Sequence, residues 1–196
     1  MIKMLVINGS PRKGGNTETV LDAFIEGAKE AGADVEKIRL VEIDHKNCRG
    51  CNACHKTGVC IIKDELTPVF DKLLVADILV LASPIYSMTV TAEMKSFIDR
   101  GQFLWAQKFF MKTLSFSEEH LAKHTGVFFA TSGQSMRSIF DSAFPVVRVF
   151  FNDAGFSYTE NVLFPGMDKH GGVKGWPESL VEARERGKEI VMKMKE

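Results

Sequence analysis

Four cysteines fall within thirteen residues: Cys48-Arg49-Gly50-Cys51-Asn52-Ala53-Cys54, five further residues, then Cys60. The spacing is C-x2-C-x2-C-x5-C. Three thiolates at intervals of three can wrap one compact centre, and the fourth closes it. Soft sulfur donors select iron–sulfur clusters, zinc or copper(I). A 4Fe–4S cluster takes four thiolates, and known sites draw three of them from a C-x2-C-x2-C run. Here the fourth cysteine follows closely and no proline comes after it, which favours all four on one cluster. Zinc and free thiols remain open as readings. Structural zinc sites use two separated cysteine pairs, and free thiols packed this tightly invite oxidation. His45 and His55 flank the run and would serve as ligands only in place of a missing cysteine.

The second stretch with chemistry is Asn8-Gly9-Ser10-Pro11-Arg12-Lys13-Gly14-Gly15-Asn16-Thr17. It follows the apolar run Met4–Ile7 and precedes a helical pattern from Thr19 to Ala31. A strand, a polar glycine-rich loop and a helix start offer backbone N–H groups and a partial positive charge to an anion. Ser10, Asn16 and Thr17 add donors, and Arg12 and Lys13 add charge, so phosphate is the expected ligand. The loop is neither G-x-G-x-x-G nor G-x-x-x-x-G-K-[ST], which argues against a dinucleotide fingerprint or a nucleotide triphosphatase loop. A plain strand-to-helix turn would need fewer polar residues than this.

The elements that position these stretches read as alternating strands and helices. Strands are expected at Met4–Ile7, Val35–Leu40, Ile78–Ala82, Val127–Ala130 and Phe156–Phe164, the second nearest an edge. Thr67-Pro68 reads as a cap and first-turn proline, and Thr91 as the cap of a helix with Met94, Phe97 and Ile98 inward. A further helix is expected from about Ser138 to Asp153, kinked at Pro145, and a last one starting near Pro177. The stretch 103–124 is aromatic and irregular, and its part 103–116 reads as core or dimer contact. Asp99 and Arg100 read as charges on a helix surface or interface. His120, His124 and His170 show no pairing signal and default to the surface. The pattern implies one domain over 1–196, an α/β three-layer sandwich. Its parallel five-stranded sheet has helices on both faces, and the cysteine loop at 44–64 follows strand two. Ligands then bind beyond the carboxyl ends of the strands, where residues 8–17, 83–89 and 131–134 converge.

Lys plus Arg and Asp plus Glu both number 25, so the net charge is zero. Nothing calls for nucleic acid, no run is long enough to span a membrane, and the N-terminus lacks signal-peptide architecture. A cytoplasmic setting is expected, with the cysteines reduced unless something binds them. No Ser/His/Asp or paired-carboxylate constellation stands out, so no catalytic side chain is assigned.

Three motifs taken together carry a resemblance. Gly9-Ser10-Pro11-Arg12 to Asn16-Thr17, the cysteine run, and Ser83-Pro84-Ile85-Tyr86 to Phe97-Ile98-Asp99-Arg100 resemble the iron–sulfur flavoproteins. These belong to the wider family of NADPH-dependent FMN reductases with a flavodoxin-like fold. The resemblance covers residues 1–166, and the cysteine run is what narrows it. It implies a sheet of strand order 2-1-3-4-5 and FMN as cofactor. Ser10, Arg12, Asn16 and Thr17 would hold the FMN phosphate, with Lys13 contributing. Pro84, Ile85, Tyr86, Ser87 and Met88 would line the ribityl chain and ring, and Thr131, Ser132 and Gly133 would border the ring. Cys48, Cys51, Cys54 and Cys60 would ligate a 4Fe–4S cluster. A homodimer or tetramer is implied, with the cluster near a neighbouring subunit's FMN. This chain carries Ser87-Met88-Thr89 where many of the family carry a bulky residue or a glycine-rich segment.

The expected activity is electron transfer that couples the cluster to FMN, from a one-electron donor such as ferredoxin to a two-electron acceptor. The alternatives are an NAD(P)H-dependent FMN or quinone reductase without a working cluster, and a non-enzymatic flavin carrier or sensor.

Overall fold

A computed structural model describes residues 1–195. Strand β1 (Lys3–Asn8) turns Met4 and Val6 to one face and Leu5 and Ile7 to the other, and all four are buried. A strand apolar on both faces must lie inside a sheet covered on both sides. That is its place: β2 (Asp34–Arg39), β3 (Ile78–Pro84), β4 (Thr125–Thr131) and β5 (Ser157–Phe164) complete a sheet of order β2–β1–β3–β4–β5. Every pairing is parallel, and the order is that of the flavodoxin-like fold. The partly exposed β2 takes the edge, as its charge predicts.

Each face carries its own core. Helices α1 (Asn16–Glu30) and α8 (Glu178–Lys193) set Val20, Leu21, Phe24, Ala183 and Ile190 against Val6, Val80 and Phe129. On the opposite face lie α3 (Thr67–Leu73), α4 (Ala92–Arg100) and α7 (Ala143–Ala154), and the short α2 (Cys54–Thr57) stands in the cysteine loop before them. There Phe70 stacks on Phe97, with ring centroids 5.1 Å apart.

Helices α1 and α8 approach almost backbone to backbone. A Cβ on Gly27 would lie 1.8 Å from the Arg184 carbonyl oxygen, and one on Gly187 would lie 2.0 Å from that of Phe24.

Three local expectations change. Thr67 is the first helical residue of α3 and Leu66 holds the cap position, although Pro68 does sit in the first turn. Residues Arg137–Phe140 form a 3-10 turn, so α7 begins only at Ala143 and Pro145 falls in its first turn. A proline there forfeits no intrahelical bond, and no kink is needed. The aromatic stretch resolves into α5 (Gln102–Trp105), a π turn at Ala106–Phe110 and α6 (Glu118–Lys123). Within α6 and just after it, His120 and His124 stack face to face, ring centroids 3.7 Å apart, so these two are partners rather than lone surface groups.

One buried carboxylate ties the front of the sheet together. Glu18, on the first turn of α1, accepts from the Gly14 N–H at 2.7 Å, Asn8 Nδ2 at 3.4 Å and Lys37 Nζ at 3.2 Å. Arg39 Nε lies 2.8 Å away. Burial alone would raise its pKa; the bonds from Gly14 and Lys37 and the charge of Arg39 outweigh that and hold it below the usual glutamate value. Its stabilisation is therefore full above about pH 4.3 and is lost as pH falls through the lowered folded value.

Two outcomes follow for the folded chain. Gly187→Ala forces the two helices apart and should cost about 3 kcal/mol in a urea titration, with no change in the slope. Glu18→Gln should cost about 2 kcal/mol at pH 7. The gap between it and the parent should then narrow as pH drops below about 4; a gap of constant size would mean the carboxylate charge does not matter.

Candidate functional site

The carboxyl ends of β1, β3 and β4 open on a cavity of about 510 Å³. From the first loop it is lined by Ser10, Arg12, Gly15, Asn16 and Thr17, and from the second by Pro84, Ile85, Tyr86, Ser87 and Met88. Thr131, Ser132, Gly133 and Gln134 line it from the third. Of the thirteen residues assigned to a cofactor from sequence, twelve line this cavity. Lys13 does not; it is exposed outside it.

The loops are locked to one another before any ligand arrives. Asn8 Oδ1 accepts from the Ser10 N–H at 2.8 Å and sets the turn out of β1. Thr91 caps α4 by accepting from the Met94 N–H at 3.2 Å, and its hydroxyl donates to the Gly9 carbonyl at 2.7 Å. The hydroxyls of Thr17 and Thr131 meet at 2.7 Å, which joins the first loop to the third. At the start of α1 no side chain supplies a cap. Helix-start N–H groups facing a polar cavity in this way suit an anion.

Three lining residues lie outside the loops read from sequence: Ile139, Met167 and Asp168. Met167 and Asp168 follow β5, and their N–H groups donate to the Ser132 and Gly133 carbonyls at 2.9 and 3.1 Å. The Asp168 carboxylate lies over Gly133, where a Cβ would meet its oxygen at 2.3 Å. The glycine-rich segment after Phe164 was the available signal, but it carries no motif that names a role.

Ser87 and Met88 are the corners of a tight turn. The Tyr86 N–H donates to the Thr89 carbonyl at 2.9 Å, and the reverse bond is 3.1 Å. Both corners have positive φ, 48° and 70°, without being glycine. Such strain costs about 1–2 kcal/mol per residue and marks a backbone shaped for something other than stability. The turn holds Tyr86 and Met88 half-exposed at the cavity rim.

The four cysteines line a second, smaller pocket with Ile62, Arg100 and Phe103. None is in a disulfide. The loop is turned by left-handed residues at Gly50, Asn52 and Gly58. Partial burial pushes the Cys54 thiol up, and negative charge on Cys60, Cys48 and Cys51 adds to that. Four thiolate ligands in one pocket would need a cationic core to balance their charge. Among the described residues, no three His, Cys, Asp or Glu side chains close on a single ion. The donor set is four sulfurs, the type that suits an iron–sulfur core.

The histidines flanking the run do not point to ligation. His45 bonds Ser96 Oγ at 3.1 Å and the Ile43 carbonyl at 3.0 Å. The His55 ring lies against Phe110 and Trp105, at 4.6 and 5.9 Å between centroids. Gln107 donates to the Gly58 carbonyl at 2.7 Å, so the π turn forms one wall of the cysteine loop. Asp99 is a surface charge, paired with Lys95 at 2.8 Å. Arg100 is not: it is 2% exposed, the largest of the fully buried side chains, and it pairs with Asp64 at 2.6 Å.

Met88→Gly should relieve the left-handed strain and raise the stability of the ligand-free protein by about 1 kcal/mol in a urea titration. A loss of stability would show that the Met88 side chain holds the turn.

Two curated relatives are named iron–sulfur flavoproteins. That of Methanosarcina thermophila is 32% identical over 111 residues, 57% of this chain and 58% of the relative. One from Archaeoglobus fulgidus is 38% identical over 99 residues, 50% of this chain and 45% of the relative. The matched part thus spans about half the length of each. Among solved structures, the NAD(P)H:quinone oxidoreductase from Methanothermobacter marburgensis superposes with a TM-score of 0.70 at 16% identity, covering 96% of both chains. At that identity it speaks for the fold alone. Residues 2–150 match the NADPH-dependent FMN reductase family, and a match over most of the chain, on a sheet of this order, makes the protein a member of that family.

Proposed function

We propose that the chain is a flavin-dependent electron-transfer oxidoreductase that holds FMN in the three-loop cavity and a 4Fe–4S cluster on Cys48, Cys51, Cys54 and Cys60. The observation that carries this is the pairing of an anion-ready cavity with a second pocket of four free thiols on one chain. FMN would supply chemistry in steps of one or two electrons, and the cluster transfers of one.

Each loop would serve a different part of the cofactor. Ser10, Arg12, Asn16 and Thr17, with the open N-terminus of α1, offer donors to the FMN phosphate. Asn16 Oδ1 is already occupied by the Val173 N–H at 3.1 Å, which leaves its amide NH2 turned to other acceptors. Pro84, Ile85, Tyr86, Ser87 and Met88 provide a rim for the ribityl chain and ring, with Thr131, Ser132 and Gly133 across from them. Lys13, outside the cavity, would act only through long-range charge. No side chain is assigned to proton transfer.

The physiological pair we propose is a one-electron donor such as ferredoxin and a two-electron acceptor, with NAD(P)H as the alternative donor. The assembly we propose is a homodimer or a tetramer, consistent with the half-exposed Phe109 and Phe110 beside the cysteine loop. A reducing compartment such as the cytoplasm suits the four free thiols. Among the described residues no helix is long and apolar enough to cross a membrane.

Anaerobic purification, an absorption spectrum, and assays for iron, sulfide and zinc test the reading. Flavin bands with broad absorption bleached by dithionite, and about four iron and four sulfide per chain, are expected. Flavin without iron after anaerobic reconstitution would favour an NAD(P)H-dependent FMN or quinone reductase instead. Failure to bind added FMN would overturn the reading of the cavity.

A further inference from the structure

We propose that Arg100 is the positioning and potential-setting residue of the cysteine pocket: it closes the loop that carries the thiols and gives its remaining N–H to a sulfur of the bound cluster. The inference rests on the cluster reading above.

A guanidinium has five N–H groups, and the structure accounts for four of them. Arg100 Nη1 donates to the Lys46 carbonyl and to Asp64 Oδ2, each at 2.6 Å. Nη2 donates to the Ile62 carbonyl at 3.2 Å and to Asp64 Oδ1 at 3.1 Å. Lys46 stands two residues before Cys48 and Ile62 two residues after Cys60. One side chain thus grips both ends of the cysteine loop from the last turn of α4. Asp64 is satisfied as well, since it also accepts from the Lys46 and Leu66 N–H groups at 3.0 and 3.2 Å.

The fifth group, Nε–H, is buried and has no partner among the described residues. Arg100 shares the pocket of the four cysteines, and Cys60 is the thiol that lies beside its guanidinium. Burying an N–H unpaired carries a desolvation cost. A purely structural staple would not need that cost, because Asp64 and the two carbonyls already hold the loop. An acceptor in the pocket removes it, and the acceptor this pocket can supply is sulfur. A hydrogen bond and a fixed positive charge at a cluster sulfur stabilise the more negative, reduced form, so they raise the cluster's reduction potential.

The test uses anaerobically reconstituted holoprotein: parent, Arg100→Lys and Arg100→Met. Iron, sulfide and FMN are assayed first, then the cluster potential is read by an EPR-monitored redox titration. Loaded variants should keep their FMN affinity and show a lower cluster potential, Arg100→Met more than Arg100→Lys. The Met variant should shift by at least tenfold in the ratio of oxidised to reduced cluster at fixed poise, about 59 mV for one electron. Fully loaded variants with the parent's potential overturn the proposal. A parent that takes up no iron overturns the cluster reading itself, and this inference with it. Variants that lose iron leave the decision to a measurement on loaded protein: hyperfine spectroscopy of the reduced cluster with 15N at arginine Nε, in an Arg49→Lys background. A 15N coupling supports the bond to sulfur, and its absence overturns it.

Discussion

A carboxylate buried behind a glycine-rich loop is the constraint on which the front of this molecule depends. Glu18 has too little water around it to be ionised at no cost, so it gathers donors, Gly14 from the loop, Asn8 from β1 and Lys37 from β2, with the Arg39 cation beside it. These donors come from three different pieces of chain. The loop therefore cannot move without breaking bonds to a desolvated charge, which is far more costly than bending a solvated turn. Asn8 passes the constraint on, since its side-chain Oδ1 receives the Ser10 N–H that begins the loop. From Gly9 the link runs to Thr91 and the second loop, and from Thr17 to Thr131 and the third. An anion site made largely of backbone N–H groups needs this rigidity, because a floppy loop would lose entropy on every binding event.

The cysteine loop is organised on the same physical plan with the charges reversed. There the buried group is a cation, Arg100, and the pieces of chain it gathers are the two ends of the loop and Asp64. Both arrangements trade desolvation for bonds that can be made only in one conformation. Both sit beside a pocket and leave donors turned into it. The aromatic segment after α4 completes the second arrangement, with Phe110 and Trp105 against His55 and Gln107 on Gly58. Its irregularity in sequence has a structural counterpart, because a π turn widens the helix where it leans on the loop.

Much of the site was legible because its signals are local. The polar loop between an apolar run and a helical pattern marks a strand end wherever it occurs. The cap at Thr91 depends on a few neighbouring residues, and the cysteine spacing on one short stretch of chain. Twelve of the thirteen residues read from sequence for the cofactor line one cavity because loops at the carboxyl ends of adjacent parallel strands have nowhere else to converge. Lys13 falls away because, next to two glycines, nothing turns it inward. Asp168 and Met167 were hidden because their approach depends on the chain after β5 folding back over Gly133.

By itself the sequence determined the strand periods, the parallel alternation with helices, the glycine-rich loop and the four-sulfur donor set. Each is a matter of residues near one another in the chain. Only the tertiary structure decided which charges are buried. Arg100 reads as a helix-surface cation until the loop from Lys46 to Asp64 closes over it. Gly27 and Gly187 are where two helix backbones meet, which only the packed pair of helices reveals. Pro145 reads as a kink until the 3-10 turn before it shifts the helix start to Ala143. The physical reason is the same in each case. Desolvation, close approach and helix ends depend on what the rest of the chain brings alongside, and a residue's own neighbours in sequence do not carry that information.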